Sequence, residues 1–207
     1  MESSGNLLAV WRLATPRKGA SRGLHPSTAD PTFARMKSRL LVAGHSVHPM
    51  LVVFPLGLLG TSVAWDVCSL VGSAHERWAL ISFWTIAAGL VGGVVAAVPG
   101  LIDWLGIPHD TRARKLGVYH MALNVVVLAM FAISLAARWR APGGYATAGL
   151  AQMAWGWIGL GVSVVSAWLG GELIETHGIS VSPDAHPNAT SSLASKSTEP
   201  RRRDVKA

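Results

Sequence analysis

Four long apolar runs separated by short polar stretches dominate the chain: Met50 to Val71, Trp78 to Ile102, Leu116 to Ala137 and Tyr145 to Gly171. Each is long enough to cross a hydrocarbon core of about 30 Å at about 1.5 Å rise per residue. A backbone amide left unpaired in lipid is costly, so runs of this length read as helices and not as buried strands. The pattern therefore predicts an all-α integral membrane protein, a four-transmembrane-helix bundle with helices over about residues 50–71, 78–102, 116–137 and 145–171. The connections "SAHER" and "RWRAPGGY" are short, so helices one and two, and three and four, form antiparallel hairpins.

The flanks read differently. Residues 1–43 are basic, contain no apolar run of signal-peptide length, and are expected to be a disordered extension. Met36, just before "KSRLL", is a second candidate start of translation beside Met1. Residues 182–207 are rich in Ser, Pro and Lys/Arg and are expected to be a disordered tail, which leaves residues 44–181 as the membrane domain.

Sliding the chain against itself by 72 positions aligns His48 with His120, and Leu51, Val53 and Leu56 with Leu123, Val125 and Leu128. The same shift puts "LIDWLGI" from Leu101 on "LIETHGI" from Leu173, so Asp103 falls on Glu175 and Gly106 on Gly178. One shift at both ends predicts two tandem helical hairpins in parallel orientation, related by a pseudo-two-fold along the membrane normal. Small residues crowd helices two and four, where they let backbones approach closely.

Composition sharpens the membrane reading: half of the residues are hydrophobic and 14% are charged, against roughly 25% in an average soluble domain. Net charge is +7, and fifteen of the 18 basic residues fall in the first 40 residues, the middle loop (Arg112, Arg114, Lys115) and the tail. Such alternation is a topology signal and not a nucleic-acid footprint. By the positive-inside rule both termini and the middle loop are expected on the cytoplasmic side of a bacterial inner membrane, with the lipid bilayer as partner and no nucleic acid. Cys68 is alone, which excludes an internal disulfide, a four-cysteine iron–sulfur or zinc site and c-type haem attachment.

With this topology His45, His48, Asp103, His120, Glu172, Glu175 and His177 gather toward one end of the bundle, with Asn124 one turn below His120. Polar groups at such depth need partners or water, and four readings stay open. His48 and His120 are candidate axial ligands of a b-type haem. His45, His48, His177 and Asp103 are an alternative ligand set for a transition metal ion. A carboxylate beside histidine also suits a proton relay, and histidines that only hydrogen-bond to carbonyls or headgroups are the structural reading. Asp66 lies about 24 Å along helix one from Met50 at about 1.5 Å per residue and is expected to pair with Arg77 or Arg138 or to reach water. No nucleophile with a base is present, so no catalytic activity is assigned.

"HPMLVVFPLGLL" with Asp66, "GLIDWLGIP", His120 with Asn124, and "GGELIETHGISV" together resemble the bacterial predicted membrane proteins grouped as domain of unknown function 2231. The resemblance implies a four-helix membrane domain. Some members of that group join it to Rieske-type iron–sulfur domains, which implies an electron-transfer setting and a redox partner. The resulting expectation is a haem b or metal-binding membrane component of an electron-transfer system. Its competitors are a cofactor-free structural or assembly subunit and, third, a small transporter or proton relay.

Overall fold

The computed structural model describes residues 36–142, 144, 148–183 and 185–191. The disorder expected for residues 1–35 and for the tail beyond residue 191, and the choice between Met1 and Met36, lie outside the described residues. Four helices account for nearly all of the rest: α1 (Val47–Val71), α2 (His75–Gly106), α3 (Arg112–Trp139) and α4 (Leu150–Glu175). All four are long and apolar enough to span a membrane.

Helices α1, α3 and α4 depart from their expected limits for local reasons. Helix α1 begins two residues before Pro49, because the first turn has no intrahelical partner for its amides and tolerates proline. Helix α3 gains a polar first turn at Arg112, capped by Thr111, whose hydroxyl accepts from the Arg114 amide at 3.2 Å. Helix α4 starts at Leu150, with Gln152 Oε1 accepting from the Gly149 amide at 3.1 Å, and the expected start at Tyr145 lies outside the described residues. Pro55 and Pro99 lie inside continuous helices.

The boundary expected at residue 44 also moves. Residues 36–46 form an ordered strap whose strands β1 (Leu41–Val42) and β2 (His45–Ser46) pair antiparallel through a two-residue turn. Ala43 and Gly44 both take positive φ there, +49° and +84°, as a tight hairpin turn demands. The strap reaches the segment that follows α4: Met36 bridges to Ile179, and the Ser180 amide donates to the Met36 carbonyl at 2.9 Å.

Helix α1 packs on α2 and α4, and α3 on α4 and α2, so α1 and α3 face each other across the bundle diagonal. Leu59, Ile86, Val127 and Phe131 form the central apolar layer. A second layer near the strap joins Ile107, Ala113 and Leu173. Large side chains such as Phe54, Val91, Val125 and Trp168 point outward. In water this would be a severe liability, and in a bilayer it is the lipid-facing surface.

The two hairpins repeat each other's contacts. On α1 the buried positions Pro55, Leu59, Ser62 and Asp66 correspond, 72 residues on, to the buried Val127, Phe131, Ser134 and Arg138 of α3. Helices α2 and α4 also correspond, but at a shift of 70. The buried Phe83, Ile86, Gly89, Ala96 and Asp103 map onto Met153, Gly156, Gly159, Ser166 and Leu173. Gly89, Leu90, Val94, Val95, Ala97 and Gly100 recur as Gly159, Leu160, Val164, Val165, Ala167 and Gly170. The single shift expected from sequence thus holds for the first helix of each hairpin only. Asp103 is structurally equivalent to Leu173 and not to Glu175.

At the level of Asp66 the equivalence becomes a bond. Asp66 and Arg138 form a bidentate ion pair, Nη2 to Oδ2 at 2.6 Å and Nη1 to Oδ1 at 2.8 Å, with side chains 1% and 0% exposed. Ser82 donates to Asp66 Oδ1 at 2.6 Å and accepts from Arg138 Nη1 at 3.2 Å, while Ser134 accepts from Arg138 Nε at 3.2 Å. Ser62, the equivalent of Ser134, stands four residues before Asp66 as Ser134 stands four before Arg138.

Two outcomes follow for thermal unfolding of the detergent-purified protein. Asp66→Asn leaves a buried guanidinium uncompensated and lowers stability by about 3–5 kcal/mol. The exchange Asp66→Arg with Arg138→Asp recovers most of that loss, because Ser62 then serves the relocated arginine; an exchange no more stable than the single variant contradicts the equivalence.

Candidate functional site

The helix limits decide which polar residues meet. His48 falls in the first turn of α1, whereas His45 falls in β2 and is exposed. Across the gap to α2, His48 Nδ1 lies 2.9 Å from the Ala96 carbonyl oxygen. A carbonyl oxygen has two lone pairs, so this one can accept from the imidazole as well as from its own helix. The imidazole lies so close to α2 that a Cβ added at Gly100 would stand 2.8 Å from its Cε1. Glycine is required by this approach.

The second hairpin makes the same arrangement. His120 Nδ1 lies 2.8 Å from the Ser166 carbonyl oxygen, and a Cβ at Gly170 would come within 3.0 Å of its Cε1. Helix, carbonyl and glycine all match those of His48 under the shifts of 72 and 70. A carbonyl oxygen only accepts, so Nδ1 carries the proton in both rings and the Nε2 lone pair is left for another group. Here the two sites part. Asn124 Nδ2 lies 3.1 Å from His120 Nε2 and also donates to the His120 carbonyl at 2.9 Å. The equivalent of Asn124 in the first hairpin is Val52, which has nothing to donate.

The alternative metal set does not assemble. Among the described residues no group of three or more His, Cys, Asp and Glu side chains is placed to hold a metal ion. Asp103 is instead taken by the strap: Ser38 Oγ is 2.7 Å and 2.9 Å from its two oxygens, and the Arg39 amide donates at 2.9 Å. His45 sits on the strap, and His177 follows the end of α4, with its amide bonded to the Glu172 carbonyl at 3.3 Å. Geometry therefore separates His45, His177 and Asp103 from a common centre and leaves the His48 and His120 pair as the repeated polar feature of this end.

Sequence reasoning missed one feature and narrowed another to two candidates. The Ser38 contact is hidden because the strap looks in sequence like a basic, disordered flank. The Asp66 partner was one of two candidates, yet the shift of 72 already set Asp66 opposite Arg138, and opposite charges at equivalent positions were the available signal. Trp104, at a helix boundary as expected, is held by the Arg114 guanidinium 4.2 Å over its ring and by Nε1 donating to the Arg114 carbonyl at 3.2 Å.

Four continuous apolar helices, an ion pair closed off from lipid and polar groups gathered at the ends define an integral membrane protein of the four-helix class. The family described as "Predicted membrane protein (DUF2231)" matches residues 44–183, and the chain belongs to that family. No curated protein and no solved structure matches the chain.

The strap contact has its own test. Asp103→Asn weakens the charge-assisted bonds to Ser38 and Arg39, so amide hydrogen exchange at Arg39 accelerates at least about tenfold. Amides in the middle of α1 and α3 keep their rates; acceleration across the whole bundle would instead mean that Asp103 supports the fold at large.

Proposed function

We propose that this chain is a cofactor-carrying membrane component of an electron-transfer system, in which His48 and His120 are the axial ligands of a b-type haem. One observation carries the reading. In both hairpins a carbonyl of the neighbouring helix fixes Nδ1 as the protonated nitrogen and so presents Nε2 as a lone pair, the second-sphere arrangement typical of metal-bound histidine. Equivalent positions on the diagonal helices α1 and α3 supply one ligand from each half, as two axial ligands require. At His48 no donor among the described residues competes for Nε2, and at His120 Asn124 must turn away for the ring to serve as a ligand. A bound haem would supply one-electron chemistry, and the chain's own residues would set ring orientation through the Ala96 and Ser166 carbonyls. A redox protein is the partner this role calls for.

A second reading is favoured by a different observation. No buried side-chain nitrogen or oxygen among the described residues lacks a hydrogen-bond partner, and Asn124 already serves His120. Histidines in this state act as interhelical pins of a cofactor-free structural or assembly subunit. We further propose, from the distribution of basic residues, that both termini face the cytoplasm of a bacterial inner membrane.

The oxidised-minus-reduced visible spectrum of the detergent-purified protein, taken with elemental analysis after expression with ample haem and metals, separates the readings. The haem reading expects a Soret band, sharp reduced bands and iron in proportion to protein, all lost in His48→Ala and His120→Ala while membrane insertion persists. A featureless spectrum without metal favours the structural subunit, and metal without a haem spectrum moves the site to a bare ion.

For orientation, an alkaline phosphatase fused after Ala207 should be inactive and a fluorescent protein there bright. The reverse pattern inverts the topology.

A further inference from the structure

At the Asp66–Arg138 end a groove of about 400 Å³ runs between α2 and α3. Ala87, Ala132 and Ala136 give it room, and Leu90 and Leu135 line it as well. The buried Phe83 ring stacks on Trp139 with centroids 6.0 Å apart. One charged side chain lines the groove: Arg140, exposed, just past the end of α3. Among the described residues Arg138 is the arginine with an ion pair, so its charge is cancelled internally and that of Arg140 is not.

The lining has a direction. It extends from Arg140 back to Ala132 on α3 and from Phe83 to Leu90 on α2, about 10–12 Å at about 1.5 Å per residue. One leaflet of a hydrocarbon core about 30 Å thick is about 15 Å deep. The cationic end therefore sits at the membrane boundary, beside the exposed Trp84 and Trp139 indoles, and the apolar end reaches toward the midplane. A soluble ligand has no use for this polarity, and an amphiphile of one leaflet matches it.

We infer that the α2–α3 groove is a binding site for an anionic phospholipid, with one acyl chain lying along Ala132, Ala136 and Ala87 and the phosphate held by Arg140. The planar guanidinium suits bidentate pairing with phosphate oxygens, and the flanking indoles suit the headgroup level. The chain fills space that the two hairpins leave open, where an unfilled gap would forfeit dispersion contacts. This assignment does not depend on the haem reading, since the groove lies at the opposite end of the bundle from His48 and His120.

Native mass spectrometry of the full chain released from nanodiscs of mixed phosphatidylcholine and phosphatidylglycerol tests it. One phosphatidylglycerol is expected to stay with each chain in preference to phosphatidylcholine. Arg140→Gln lowers its retention by about fivefold, Arg140→Lys keeps most of it, and Arg112→Gln at the opposite end leaves it unchanged. Ala136→Leu, which narrows the groove and spares the charge, also lowers retention. Equal retention of both lipids, retention unaffected by Arg140→Gln, or an equal loss in Arg112→Gln overturns the proposal, the last because it would report bulk charge and not a site.

Discussion

An ion pair with no access to water holds this bundle to one arrangement. Lipid gives helices no hydrophobic reason to associate, so their mutual rotation must come from close packing and from polar groups that have nowhere else to go. Asp66 and Arg138 are such groups, fully enclosed and bonded twice to each other. Either charge alone in so enclosed a place would be costly, and together they are tolerable only when α1 and α3 face each other and Ser82 of α2 completes the shell. Once these rotations are set, Leu59 meets Gly89 and Phe131 meets Gly159, each large residue lying against the glycine its hairpin provides. His48 and His120 are turned toward α2 and α4 by the same choice.

The frame is repeated and the chemistry placed on it is not. Helices α1 and α3 share burial at a shift of 72, and α2 and α4 at a shift of 70, yet the paired positions hold Asp66 with Arg138, Val52 with Asn124, and Asp103 with Leu173. A symmetric backbone with asymmetric side chains gives one cation facing one anion, where identical halves would bury two like charges. The same asymmetry gives His120 Nε2 a donor in Asn124 and His48 Nε2 none among the described residues, so the two imidazoles are built alike and prepared differently.

Four spans, their hairpin pairing and the equivalence of His48 with His120 were legible in the sequence, because each rests on a local property: apolar run length, loop length, identity at a constant shift. The two-residue offset in the second helix of each hairpin was not. "LIDWLGI" and "LIETHGI" draw the alignment to 72, although Gly89, Leu90, Val94, Val95, Ala97 and Gly100 already recur at 70, and the burial of Ala96, Asp103, Ser166 and Leu173 shows that the packing uses 70. Helix rotation was hidden for a related reason: the runs are apolar on every side, so no amphipathic stripe marks the inner face. The four fully buried serines, Ser62, Ser82, Ser134 and Ser166, marked that face. The strap is not legible because Ser38 and Arg39 look like any basic flank until Asp103, 65 residues from Ser38, provides a carboxylate for them.

Distance decides whether the ion pair can tune the histidines it helps to orient. His48 and Asp66 are eighteen positions apart on one helix, about 27 Å at about 1.5 Å per residue. At an effective dielectric near 20, a full charge at that range acts with only about 0.6 kcal/mol, and an Asp–Arg pair presents a dipole whose effect falls off faster still. The affinity of the His48 and His120 end for a ligand, and any potential it sets, must therefore come from groups within a few ångströms: the Ala96 and Ser166 carbonyls, the Asn124 amide and whatever water reaches Nε2. The ion pair governs where the imidazoles point, and their immediate neighbours govern what they can do.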